Sequence, residues 1–236
     1  MKRATLKFSL LLAGLLGTAG AQAIPVTFTK LTGLTGTINI ETAVYRADLS
    51  GLGLSDLTSI TINDNSGGTG GASGQFSGFD LDAIALSYSF CTTAACAAAL
   101  PGLGVFDFSP TGTQFTPGTQ RPTADPKLFG TDVTGNNVDN SVATLGAFDA
   151  NSTTAIPGAD GFVSMGDNGI LRFDLVVPLS TTPDLYLYIG EVGDNGEVAD
   201  GTITVTGRPV PAPEPGTLAL LGLGLAGFGY LRRRRR

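Results

Sequence analysis

ILRFDLVV, residues 170–177, alternates apolar and polar side chains along most of its length. A strand sends successive side chains to opposite faces, whereas a helix groups residues three and four apart. Leu171, Phe173, Leu175 and Val177 therefore share one face of a strand, and Arg172 and Asp174 point the other way. Pro178, which has no N–H to give a ladder, is expected to end it. The same period recurs on either side. In DLYLYIGEV, Leu185, Leu187 and Ile189 oppose Tyr186 and Tyr188, and in GTITVTG, Ile203 and Val205 oppose Thr202, Thr204 and Thr206. VTFTK, TINIETAVYRADL, LTSITIND and AIALSYSF are earlier candidates. Strands this short and frequent, with no long helical pattern, predict an all-β fold: an antiparallel β-sandwich, jelly-roll-like, over residues 24–207.

The chain has 34 glycines, and those of the body concentrate in turn-rich stretches between the strands. Residues 101–140 read as long loops with one or two short strands, because Pro, Gly, Thr and Asn dominate them. GDNG occurs twice, at Gly166–Gly169 and Gly193–Gly196. Asp-Asn-Gly tolerates positive φ and makes Asx turns, so hairpin loops are expected; calcium ligation by the same oxygens is the alternative. NDNSGG, from Asn63 to Gly68, approaches the opening of a calcium loop but lacks its closing glutamate.

GFDLDAIALSYSF poses a sharper question. Asp80 and Asp82 share the parity of Ile84, Leu86, Tyr88 and Phe90, so one regular face would bury two neighbouring carboxylates. Either a bulge near Asp82 flips the parity, or the pair sits at the sheet rim, where it would hold Ca²⁺. No other cofactor is implied. Tyr186 and Tyr188 offer rings for stacking on sugars, though a second buried face of the sheet explains them equally well.

Charge and composition narrow the function classes. From residue 24 to 212 six basic side chains stand against nineteen acidic ones, a net charge of −13. Such a surface repels phosphate backbones, so no nucleic acid is expected as a partner. The chain has no histidine, which removes Ser-His-Asp and Cys-His catalysis and His-based zinc sites. Paired carboxylates would still allow glycoside hydrolysis, but there is no tryptophan as a sugar platform. The expectation is a protein that is not an enzyme.

Both ends read as addresses. MKRATLKFSLLLAGLLGTAGAQA has a basic start, an apolar core and an A-x-A site, the pattern of a secretory signal peptide (1–23) cleaved after Ala23. In an oxidising compartment Cys91 and Cys96, in CTTAAC, are expected to pair; two thiolates without histidine fall short of a zinc site. At the other end a Pro-rich linker (208–216) carries Pro213-Glu214-Pro215, whose prolines keep it extended. Fifteen apolar or small residues, 217–231, then form a transmembrane span of about 22 Å at roughly 1.5 Å per residue. That is short for a hydrocarbon core of about 30 Å, a mismatch that thinning and arginine snorkelling absorb. Arg232 to Arg236 stay cytoplasmic, which puts the body outside.

The ordered trio of PEP, a short Gly/Leu-rich span and a terminal arginine cluster resembles the PEP-CTERM sorting signal of Gram-negative bacteria. The resemblance covers the C-terminal tail alone. It implies recognition of Pro213, Glu214 and Pro215 by an exosortase, a membrane-embedded enzyme resembling cysteine proteases. It also implies passage through the inner membrane to the cell surface or extracellular matrix of a bacterium that makes exopolysaccharide. Tails of this kind are also labelled ice-binding protein C-terminal domains, but the Thr202, Thr204 and Thr206 row has no repeat to extend it into a flat array. The expected function is a structural or adhesive protein of an exopolysaccharide matrix or biofilm. A carbohydrate-binding module using Tyr186 and Tyr188, with or without calcium, is the alternative, and a glycoside hydrolase comes third.

Overall fold

A computed structural model describes residues 24–37, 41–52, 57–150, 161–197 and 204–206. The expected signal peptide with Ala23, the expected linker with Pro213-Glu214-Pro215, the expected 217–231 span and Arg232 to Arg236 lie outside the described residues. The body is built mainly from strands: β1 (Thr29–Thr35), β2 (Thr42–Asp48), β3 (Leu57–Asn63), β4 (Asp80–Ser87), β5 (Thr113–Thr116), β6 (Val163–Ser164), β7 (Ile170–Leu179), β8 (Tyr186–Val192) and β9 (Thr204–Thr206). Two short helices, α1 (Ala94–Ala98) and α2 (Asn140–Ala143), interrupt them. Among the described residues no helix is long and apolar enough to cross a membrane.

The strands form two antiparallel sheets, ordered β1-β2-β8-β4-β6 and β5-β7-β3-β9. Their pairings nest: β2 with β8, β3 with β7, and β4 with β6, around β5. Successive rungs of this folded hairpin fall alternately in the two sheets. β8 against β4 and β7 against β5 then join the rungs within each open sheet. One buried apolar cluster draws on both sheets: Ala43, Tyr45 and Ile189 come from the first, Ile60, Leu171 and Phe173 from the second.

β8 is buried along its full length. Leu187 and Ile189 join that shared cluster, while Tyr186 and Tyr188 join a second one with Val44, Cys91, Ala94 and Ala97. The predicted alternation holds, and both faces are covered.

Several sequence expectations need correction. Pro178 does not end β7, which runs on to Leu179. From Ser59↔Asp174 to Leu57↔Leu179 the ladder takes two steps along β3 and five along β7. Val176, Val177 and Pro178 thus leave the pairing, so the missing proline N–H costs no ladder bond. The parity also breaks there: Leu175 packs on the core, but Val177 is exposed. At the other extreme, β4 stops at Ser87, leaving Tyr88 and Phe90 exposed rather than continuing its inner face.

The GDNG turns are turns, but neither joins a hairpin. Gly166–Gly169 links β6 to β7 and Gly193–Gly196 lies between β8 and β9, each pair divided between the two sheets. Asn168 and Asp194 adopt positive φ (64° and 44°), as Asn and Asp tolerate. The Asp64 carboxylate, in NDNSGG, accepts from Phe79 N (2.9 Å) and Asn168 N (2.8 Å), as well as from the Ser66 hydroxyl. It ties the two loops together through N–H donors.

Candidate functional site

The Cys91–Cys96 disulfide is formed, with Cα atoms 5.6 Å apart. The loop it closes runs into α1, whose N-cap Thr93 accepts from Cys96 N at 3.2 Å. Thr92 O receives both the backbone N–H (3.1 Å) and the hydroxyl (2.9 Å) of Thr32, docking the loop against β1. On its inner side Cys91 N donates to the Tyr188 hydroxyl (2.9 Å), which donates to Ser89 O (2.6 Å).

Arg46 reaches this loop from β2, where it pairs in register with Thr29 on one side and Tyr188 on the other. Its Nη1 donates to Cys91 O, and its guanidinium carbon sits 3.9 Å from the Phe90 ring centroid. Phe90 meets Tyr186 edge-on, with centroids 5.4 Å apart. Between β1, Arg46 and the loop lies an open cleft of about 330 Å³, lined by Thr29, Lys30, Leu31, Thr32, Arg46 and Thr92. Lys30 pairs with Asp194 of the second GDNG turn.

Tyr186 and Tyr188 thus work from below. Tyr188 is fully buried and Tyr186 is 8% exposed, so neither shows an open ring face to a sugar. Burial pushes the hydroxyl pKa of both upward. They support the disulfide loop and Phe90 instead of forming a platform.

Asp80 and Asp82 are both buried, but the structure gives them separate neighbours. From Leu81↔Glu191 to Ile84↔Ile189, β4 takes three steps and β8 two, so the expected bulge lies at Asp82 and Ala83 opposite Gly190. Within it Asp82 accepts from Ala150 N (3.0 Å) and Asp149 N (3.3 Å); burial nevertheless raises its pKa to about 7. Asp80 faces Ser164 across the β4·β6 ladder. Its pKa is raised, first by burial and then by the charge of Glu197.

Glu191 and Glu197 complete a buried acidic group around Asp80. Burial, and after it the Glu197 charge, pushes Glu191 to about 9. Burial raises Glu197 to about 7, against the pull of Arg121. Arg121 contacts Glu197 at 3.3 Å and Asp167 at 3.2 Å. Among the described residues neither oxygen of Glu191 has a hydrogen-bond partner, nor does Oδ1 of Asp80 or Oε2 of Glu197. Burial thus favours the neutral form of each carboxyl, and Arg121 opposes it at Glu197. Among the described residues no group of three or more His, Cys, Asp or Glu side chains is arranged to hold a metal ion.

Besides the parity of Asp80, the sequence carried a second signal for this group: Glu191 has the core parity of Leu187 and Ile189. Arg46, Phe90 and Thr92 had none, because the cleft depends on a loop docking onto a strand sixty residues away in sequence.

The fold and the cleft define an acidic, disulfide-bonded all-β protein with a small basic recess on one sheet. Its tail belongs to a recognised class: residues 211–236 match the family profile of the PEP-CTERM protein-sorting motif. No curated protein and no solved structure is similar enough to the chain to count as a match.

Proposed function

We propose that the chain is an exported surface protein of a Gram-negative bacterium. An exosortase handles its tail at the inner membrane, and its body has a structural or adhesive role in extracellular polysaccharide. The observation that carries this reading is the sorting-motif match over 211–236, which contains Pro213-Glu214-Pro215, the apolar span and the arginines in order. The signal-peptide pattern at 1–23 and the Cys91–Cys96 bond fit export to an oxidising compartment.

The body is read as one domain, 24–207, wrapped as a jelly-roll sandwich. The nested pairs around β5 are what a long antiparallel hairpin gives when rolled up, and the apolar cluster shared by both sheets supplies the core between them. Fold analogy carries no chemistry, so the non-enzymatic reading rests on the missing histidine and tryptophan. A calcium-dependent carbohydrate-binding module is the rival. A glycan array with and without calcium separates the two, and hydrolysis of an arrayed glycan would favour the enzyme.

Glu214→Ala tests the tail. The substitution leaves the apolar span and the arginines untouched, so a plain anchor behaves like wild type. A sorting signal accumulates uncleaved precursor in the membrane and loses surface protein. Mass spectrometry of surface material from a host with an exosortase reads the difference. Wild-type surface protein intact through Arg236 would refute sorting.

A further inference from the structure

The described arginines of the body do not share one fate. Arg121 pairs with Asp167 and Glu197, and Arg172 pairs with Asp174. Among the described residues Arg46 forms no ion pair, in a body where acids outnumber bases three to one. Its contacts are neutral: the Cys91 carbonyl and the face of Phe90. The stacking holds the guanidinium plane in place at low entropic cost and leaves most of its five donors free of that carbonyl.

The surroundings define what such a cation would hold. Lys30 lines the same cleft, with its ammonium paired to Asp194. Thr29, Thr32 and Thr92 add hydroxyls, and Leu31 adds an apolar contact. The volume of about 330 Å³ falls at the lower end of small-ligand sites, roughly 300–1,000 Å³. An anion, several hydroxyl partners and an apolar ring face are together the attributes of a sugar acid.

An acidic peptide fits less well. Peptides commonly add to a free sheet edge through their backbone, and β1 is such an edge. Here that edge is spoiled. Thr32 N is committed to Thr92 O, Thr32 is bridged to Thr93, and the β1 register shifts between Lys30 and Leu34. Recognition must therefore come from side chains, which suits a glycan.

We propose that this cleft binds a carboxylate-bearing sugar residue of a polysaccharide. Arg46 pairs with the carboxylate, Lys30 releases Asp194 to share it, and the threonine hydroxyls take the ring hydroxyls. The inference deepens the matrix reading above, on which it rests for where the polymer would be met. The binding itself is measured without the sorting pathway.

Calorimetry on the full-length chain in detergent micelles provides the test, with polygalacturonate, neutral dextran and polyglutamate as probes. Polygalacturonate binds and dextran does not. Arg46→Gln weakens binding about tenfold or more, as loss of a charge-assisted contact should. Lys30→Gln, which leaves the Arg46–Cys91 contact intact, weakens it as well, so misfolding of the disulfide loop does not explain the loss. Arg172→Gln removes one positive charge elsewhere and stays within about twofold of wild type. No binding of polygalacturonate, an equal loss in Arg172→Gln, or equally tight binding of polyglutamate overturns the proposal. A wild-type response to Glu214→Ala in the surface assay would sink the sorting reading and leave these affinities unchanged.

Discussion

The Tyr188 hydroxyl closes two hydrogen bonds in a fully buried position, from Cys91 N and to Ser89 O. Tyr188→Phe keeps the ring and creates no cavity, but leaves a buried N–H and C=O unpaired. The expected cost is about 1–3 kcal/mol, read as a lower urea midpoint at unchanged m-value. An unchanged midpoint would show that water satisfies the loop. Period-two reading placed Tyr188 on the face opposite Leu187 correctly, but left a sugar platform and a second buried face equally open. Parity identifies a face; it does not say what covers it. The cover here is the Cys91–Cys96 loop and α1, about ninety residues earlier in the chain. Glu191 is the opposite case. Its core parity with Leu187 and Ile189 was visible in the sequence as a conflict with its charge, and burial resolves the conflict by raising its pKa.

Strand identities were legible for a local reason: a half-buried strand writes its alternation into consecutive residues. β3 coincides with LTSITIND up to Asn63, and β2 lies within TINIETAVYRADL. What joins the strands was not local. Asn and Gly announce a turn at Gly166–Gly169 but not that the chain changes sheet there, because that depends on pairings such as β3 with β7. The β4 bulge was one of the two alternatives that the misplaced carboxylates raised, and the structure supplies its counterpart. A Cβ on Gly190 would lie 2.9 Å from Thr42 Cγ2 and 3.0 Å from both Asp82 Cβ and Phe148 Cδ1. Gly190→Ala should therefore destabilise by about 1–3 kcal/mol through overpacking. A neutral Gly190→Ala melt would mean that the bulge relaxes freely. The disulfide belongs to the same level. Replacing both Cys91 and Cys96 by serine opens a small loop and should cost about 2 kcal/mol on the chain-entropy account. Native protein should show no alkylatable thiol before reduction, and two reactive thiols on intact mass would contradict the bond.

Taken together, the buried acids predict an unusual pH dependence for the stability of the body. Burial is the first cause in each case: it holds Glu191 at about 9, Asp82 and Glu197 at about 7, and Asp80 well above the usual carboxylate range. In the unfolded chain these groups titrate near pH 4. A carboxyl raised on folding contributes stability that is complete below its unfolded pKa and is lost as pH rises through the folded value. Each such group lowers stability by up to about 1.4 kcal/mol per pH unit in its window. Asp82, Glu197 and Glu191 act from about pH 4 to 7, Glu191 continues to about 9, and Asp80 adds to the fall in the same direction. Asp132, lowered chiefly by its hydrogen bond from Asn137, and Asp107, lowered by Ser109, work in the other direction, but only in acid and at exposed positions. Thermal melts should thus peak in mildly acidic buffer and fall steadily toward pH 9. Glu191→Gln preserves the shape and removes the ionisation, so its curve should flatten above about pH 7. A wild-type curve that rises from about pH 5 to 8 would mean that these carboxyls are ionised in the folded state and must be neutralised by something bound. Millimolar calcium raising the melting temperature at the alkaline end, and not at the acidic end, would then identify that partner as a divalent cation.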